Sequence, residues 1–213
     1  TIAVASSHFC TAERQYRTPL EYGGQRTPTA QWTVTGAGAA VLEKRQFPPY
    51  ITHITTGKVI DFGVTDPNNM GGAMAPAAID TLKAHFRDTK RSPKNYDLIL
   101  TGDLGKVGRE IVIDMMTAGG FDMEQNYNDT GCMIYDFETQ DVHAGGSGCG
   151  CVAVTLCGYV FEMMKKGELN DVLILGTGAL LSPTSSLQGE SVPGIAHAIS
   201  LSTTPGAVSY THL

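Results

Sequence analysis

Short polar stretches at the ends of apolar runs hold the residues of this chain that could do chemistry. Ser6-Ser7-His8 closes the run that opens the sequence and brings two hydroxyls beside an imidazole. Gly102-Asp103-Leu104-Gly105 sets one carboxylate between glycines after a second run. Ala144-Gly145-Gly146-Ser147-Gly148 precedes a stretch of helical periodicity. Backbone N–H groups left open there, together with the helix dipole, suit an anion. The equal alternative is that these glycines only allow close strand–helix packing. The stretch lacks the lysine and hydroxyl spacing of a phosphate loop, and the dinucleotide fingerprint too. Gly176-Thr177-Gly178 follows a fourth run. Arg14 and Arg17 are loop cations able to pair with carboxylates. No Ser-His-Asp order and no carboxylate pair names a hydrolase.

The cysteines, at 10, 132, 149, 151 and 157, are odd in number and crowd one segment, a poor disulfide framework. Cys149-Gly150-Cys151 is too tightly spaced for a zinc pair, so the thiols read as reduced, buried and structural, with no metal.

The elements that must position these stretches alternate between strand and helix. Thr1–Ala5 reads as a buried strand, 36–42 as a small-residue strand, and 51–60 as an alternating strand. Ala75–Thr89 reads as a helix with Ala78, Ile79, Leu82 and Phe86 inward. Strand 97–101 leads to a helix carrying Ile111, Val112, Met115 and Met116 inward and stopping at Gly119-Gly120. A loop with Asn126, Asn128 and Asp129 leads to a third helix, with Val152, Leu156, Tyr159, Val160 and Met163 inward and a stop at Gly167. Strands 172–175 and 195–201 complete the pattern. The alternation predicts a mostly parallel sheet covered by helices, with any site beyond the carboxyl ends of the strands.

Over 213 residues, 42% are hydrophobic, 17% are charged and the net charge is −6, which fits a globular protein and excludes a basic nucleic-acid surface. No apolar run reaches spanning length and no leader opens the chain, so an intracellular protein, soluble or peripheral to a membrane, is expected. The mid-strand start suggests a fragment of a longer protein, and Val208–Leu213 reads as a non-native tail.

At this point the residues resemble a family. Thr35-Gly36-Ala37-Gly38-Ala39-Ala40-Val41-Leu42 resembles the strand closing the first half of thiolases and ketoacyl-synthase condensing enzymes. The stretches 97–103, 145–149 and 176–178 fall in the order of that superfamily's second-half active-site loops. More specifically, Thr11-Ala12-Glu13-Arg14-Gln15, Glu21-Tyr22-Gly23-Gly24-Gln25 and Leu181-Ser182-Pro183-Thr184 are similar to the stage V sporulation protein AD family, as is Gly189-Glu190-Ser191-Val192-Pro193-Gly194.

The resemblance implies an α/β, thiolase-like fold. Residues 1–48 would be the end of the first half, 49–207 the second half and 208–213 the foreign tail. It also implies non-catalytic binding of dipicolinic acid (pyridine-2,6-dicarboxylate) in a former active-site pocket, for uptake into the developing spore. Ser7, His8, Asp103, Gly146, Ser147 and Gly148 are the expected ligand set. No cofactor is implied beyond calcium accompanying the ligand. The expected partners are proteins of a spore membrane transport complex at the forespore or spore inner membrane, and a second copy of the full-length protein. The competing reading is an acyl-transferring condensing enzyme. Against it, Gly102 and Gly146 stand where such enzymes show histidine, and asparagine or histidine.

Overall fold

The structure, a computed structural model, describes residues 1–11, 27–44 and 47–206. Arg14, Arg17 and the tail at 208–213 lie outside the described residues. The first part contains β1 (Ile2–Ser7), β2 (Trp32–Thr33) and β3 (Gly36–Val41), with β1 and β3 paired antiparallel. A five-stranded sheet follows, built from β4 (Tyr50–Thr55), β5 (Leu98–Thr101), β6 (Tyr127–Asp129), β8 (Asp171–Ala179) and β9 (Gly194–Ser202). Its order is β4-β9-β8-β5-β6. The α/β reading stands, but this sheet is mixed. β8 runs parallel to β5 and β5 to β6, whereas β9 runs antiparallel to both β4 and β8. The segment between β8 and β9 carries only a short helix, Pro183–Leu187, and β9 returns antiparallel beside β8.

Both faces of the central strands are covered, which is why their sequences are continuously apolar. Ile99, Leu173 and Leu175 face one core with α1 (Met70–Thr89) and α2 (Gly105–Ala118). Leu100, Val172 and Ile174 face the other, where Val160 and Met164 cover them. After a short α3 (Thr130–Met133), Val160 ends a π-turn, Leu156–Val160, lying between α4 (Cys149–Thr155) and α5 (Phe161–Lys166). The wider turn shifts the inward face by a residue. Hence Tyr159 is exposed and Met164, not Met163, is the buried methionine. Met115 of α2 is likewise exposed.

Four further readings need correction. α1 begins at Met70, not Ala75, because the Asn69 side chain accepts from Gly72 N at 3.0 Å and caps an earlier turn. Its glycines hide that start from sequence; a Cβ on Gly108 would come within 2.8 Å of Gly71 O, so the two helices meet through these residues. The strand read over 51–60 ends at Thr55, and Ile60 makes only a bridge to Gly194. The opening strand is not buried. β1 and β3 pack on α4 by one face, and on the other Ile2 and Val4 are 66% and 67% exposed. All five cysteines are free, with Cys151 buried but Cys10 and Cys149 exposed.

A buried polar line ties α1 to the antiparallel side of the sheet. His85 Nδ1 lies 2.8 Å from Thr55 Oγ1, His85 Nε2 lies 2.7 Å from Tyr96 OH, and Tyr96 OH lies 2.9 Å from Ser200 Oγ. Burial pushes the His85 imidazole down to about 4, with His53 and Arg91 adding to the effect. Between about pH 4 and 6.5 the unfolded chain therefore binds a proton that the folded one does not, and acid removes stability. Urea unfolding of the protein beside its His85→Phe variant should show it. The wild-type advantage is expected to shrink by about 2 kcal/mol between pH 7 and pH 5.

Candidate functional site

The parallel pairing of β5 with β8 sets Thr101 against Leu175. Two residues further on, Asp103, just past the end of β5, lies beside Thr177, which is still within β8. The stretch 176–178 is not a loop but continues the strand read over 172–175 to Ala179, through its pairing with β9. They close a small ring: Asp103 N–H donates to Thr177 Oγ1 at 3.1 Å, and Thr177 Oγ1 donates to Asp103 Oδ1 at 2.7 Å. Gly148 N–H donates to Asp103 Oδ2 at 2.8 Å. Gly146 and Ser147 form β7 (Gly146–Ser147), parallel to β2, and Val34 N–H donates to Ser147 O at 2.9 Å. Gly148, at φ 96°, then turns the chain into α4; its Cβ would stand 3.0 Å from Ser7 Oγ. Ser7 completes the join by donating to Val34 O at 2.6 Å and accepting from Gly150 N–H at 2.9 Å.

Ser7, Asp103, Gly146, Ser147 and Gly148 thus come together as one connected network. His8, next after Ser7, is exposed and makes no bond to this network; its Nδ1 lies 3.4 Å from Thr11 Oγ1. The backbone beneath it is fixed by Phe9, whose ring stacks on Trp32 at 4.3 Å and whose N–H donates to Thr35 Oγ1 at 3.0 Å. The Gly148 amide expected to face a ligand is occupied by Asp103, so the carboxylate aligns the glycine loop from within. Burial pushes the Asp103 carboxyl up, while Thr177 and Gly148 pull it down.

Sequence reasoning passed over the residues that hold these loops. Asp129, buried at the end of β6, accepts from Thr101 Oγ1 at 2.6 Å, Leu104 N at 2.9 Å, Gly105 N at 2.8 Å and Gly131 N at 2.9 Å. Burial pushes its carboxyl up to about 7 against those donors, with Asp103 adding to the rise. Its only signal was its place after a strand, among asparagines. Thr177 carried a better one, a hydroxyl between glycines just after an apolar run. Gln31 carried none.

Two glycines of these loops, Gly102 and Gly146, are closely packed. A Cβ on Gly102 would lie 2.6 Å from Thr177 Oγ1 and 3.0 Å from Thr177 N. One on Gly146 would lie 2.8 Å from Ile134 Cγ2 and 3.0 Å from Val34 Cγ2.

This arrangement belongs with a match to the family described as Stage V sporulation protein AD, which runs over residues 1–202. The chain belongs to that family. Stage V sporulation protein AD of Bacillus subtilis (strain 168) is 50% identical over 206 residues, covering 97% of this chain and 61% of that relative. The chain thus spans about three-fifths of the length of the curated relative it matches. Among solved structures, 3-oxoacyl-[acyl-carrier-protein] synthase III of Aquifex aeolicus VF5 superposes with a TM-score of 0.50 at 11% identity, over 94% of this chain and 57% of that one. The acetyl-CoA acetyltransferase of Bacillus anthracis gives a TM-score of 0.44 at 14% identity, over 83% and 38%. The synthase likeness establishes the thiolase-like fold of this sporulation family member. Among the described residues, no helix is long and apolar enough to cross a membrane.

Proposed function

We propose that the full-length protein binds dipicolinic acid without transforming it, in a pocket derived from a condensing-enzyme active site. In this role it would support uptake of the compound into the developing spore. The observation that carries this reading is the close packing of Gly102 and Gly146. An acyl-transferring enzyme needs side chains there to hold a thioester oxygen and move protons. Glycine offers only backbone N–H, and any side chain would have to displace its neighbours, backbone included at Gly102. Membership of the sporulation family supports the biological setting.

A planar dianion needs donors on its carboxylates and a flat apolar flank. His8, exposed and adjacent in sequence to Ser7, would supply an imidazole donor, and the stacked rings of Phe9 and Trp32 would supply a flat apolar flank. Ser7, Asp103 and Gly146 to Gly148 shape the floor. Each Asp103 oxygen accepts one bond from the protein, and calcium is proposed only as an ion accompanying dipicolinate. Attachment to the spore inner membrane, through proteins of a transport complex, and pairing of two full-length copies belong to the same reading.

Calorimetric titration of full-length protein and its His8→Ala variant tests the assignment. Loss of the imidazole should weaken dipicolinate binding by about 1 kcal/mol or more, roughly fivefold. Equal affinities would remove His8 from the site.

A further inference from the structure

We propose that Gln31 is the positioning residue that sets the gap between the two loops of the ligand site. The proposal rests on the binding reading above and adds what controls the site's width. The loop at 102–105 and the glycine loop at 145–148 come from distant parts of the chain. Gln31, on the segment leading into β2, is buried between them. Its Nε2 donates to Asp103 O at 2.8 Å and to Gly146 O at 2.7 Å. Two carbonyl oxygens can only accept, so the amide nitrogen must face them and both of its hydrogens are used. One planar group therefore spans the positions where the network carries its carboxylate and its first strand glycine. The gap cannot change without breaking one of the two bonds.

Neighbouring contacts hold Gln31 in register. Ala144 N–H donates to Ala30 O at 3.0 Å, and Trp32 N–H donates to Gly145 O at 2.7 Å. On the far side, Lys106 N–H donates to Ala144 O at 2.8 Å. A Cβ on Gly105, itself at φ 63°, would run into Ala144 O and stand 2.7 Å from Gln31 Nε2, so a glycine there lets both the second loop and this amide approach. Methionine matches glutamine in length but donates nothing. Glutamate would set a carboxylate against two carbonyls.

The test has an arm that needs no ligand. In full-length Gln31→Met protein, amide hydrogen exchange should quicken tenfold or more at residues 103–106 and 144–148, and stay unchanged at 172–175 in the sheet centre. In the binding arm, dipicolinate affinity should fall tenfold or more, and its preference over benzene-1,3-dicarboxylate, a ligand of the same shape lacking the ring nitrogen, should change. In the unmodified protein, both side-chain N–H hydrogens of Gln31 should resist exchange, which keeps the idea testable if the variant fails to fold. Unchanged loop exchange, or a uniform rise across the sheet with selectivity intact, would overturn the proposal, as would a freely exchanging Gln31 amide. A wild-type protein that ignores dipicolinate while the exchange arm succeeds would defeat the binding reading and leave Gln31 as the spacer.

Discussion

Asp129→Ala is expected to destabilise the full-length protein by about 3–5 kcal/mol, the largest effect of any single change at the site. The substitution strips the acceptor from three backbone N–H groups and one hydroxyl, in a place that water does not reach. Each orphaned donor costs about 1–3 kcal/mol, and relief from burying a carboxylate offsets part of the sum. The pH dependence follows from the raised pKa. Folding tightens the hold of Asp129 on a proton, so its contribution is full below about pH 4 and declines as pH rises through about 7. Urea unfolding should thus show a larger deficit for the variant at pH 5 than at pH 8. A loss below about 1 kcal/mol at both values would mean that the loop at 102–105 holds its shape by other means.

Gly102→His is the second large expectation. The substitution introduces the residue type that the resemblance to condensing enzymes implies at this place, yet it should give no thioester turnover and should destabilise the protein by about 2 kcal/mol or more. Its Cβ meets the backbone N of Thr177 as well as its hydroxyl, so the ring between Thr177 and Asp103 must open. Gly146→Ala should be milder, about 1 kcal/mol, because it meets the ends of the Ile134 and Val34 side chains, which can turn aside. Measured acyl transfer by Gly102→His, in a stable protein, would show that only a side chain separates this pocket from an enzyme.

Much of the fold was legible in the sequence. Leu98–Thr101 and Val172–Leu175 declare themselves as strands because both of their faces are buried, and apolar residues follow one another without a break. The inward stripe of α1 was legible through Ala78, Leu82 and Phe86, all buried. Its first turn was not, because Gly71, Gly72 and Pro76 have the local preferences of breakers and tertiary packing overrides them. The π-turn at 156–160 was equally hidden, since its extra residue changes the period only once. Within the site, position was readable and function was divided. Asp103, Ser7 and the glycine loop stand at strand ends, where sites form, and they do meet. That Gly148 spends its amide on Asp103, or that Gln31 reaches between loops distant in sequence, depends on contacts no local pattern encodes.

The measurement that bears most directly on the central claim is a calorimetric titration of the full-length protein with dipicolinic acid, with and without calcium, against an aliphatic dicarboxylate as control. The account predicts saturable binding of dipicolinate that the aliphatic compound neither reproduces nor displaces, and no turnover of thioesters by the same preparation. Absence of heat and of competition, or thioester turnover at an enzymatic rate, would contradict it.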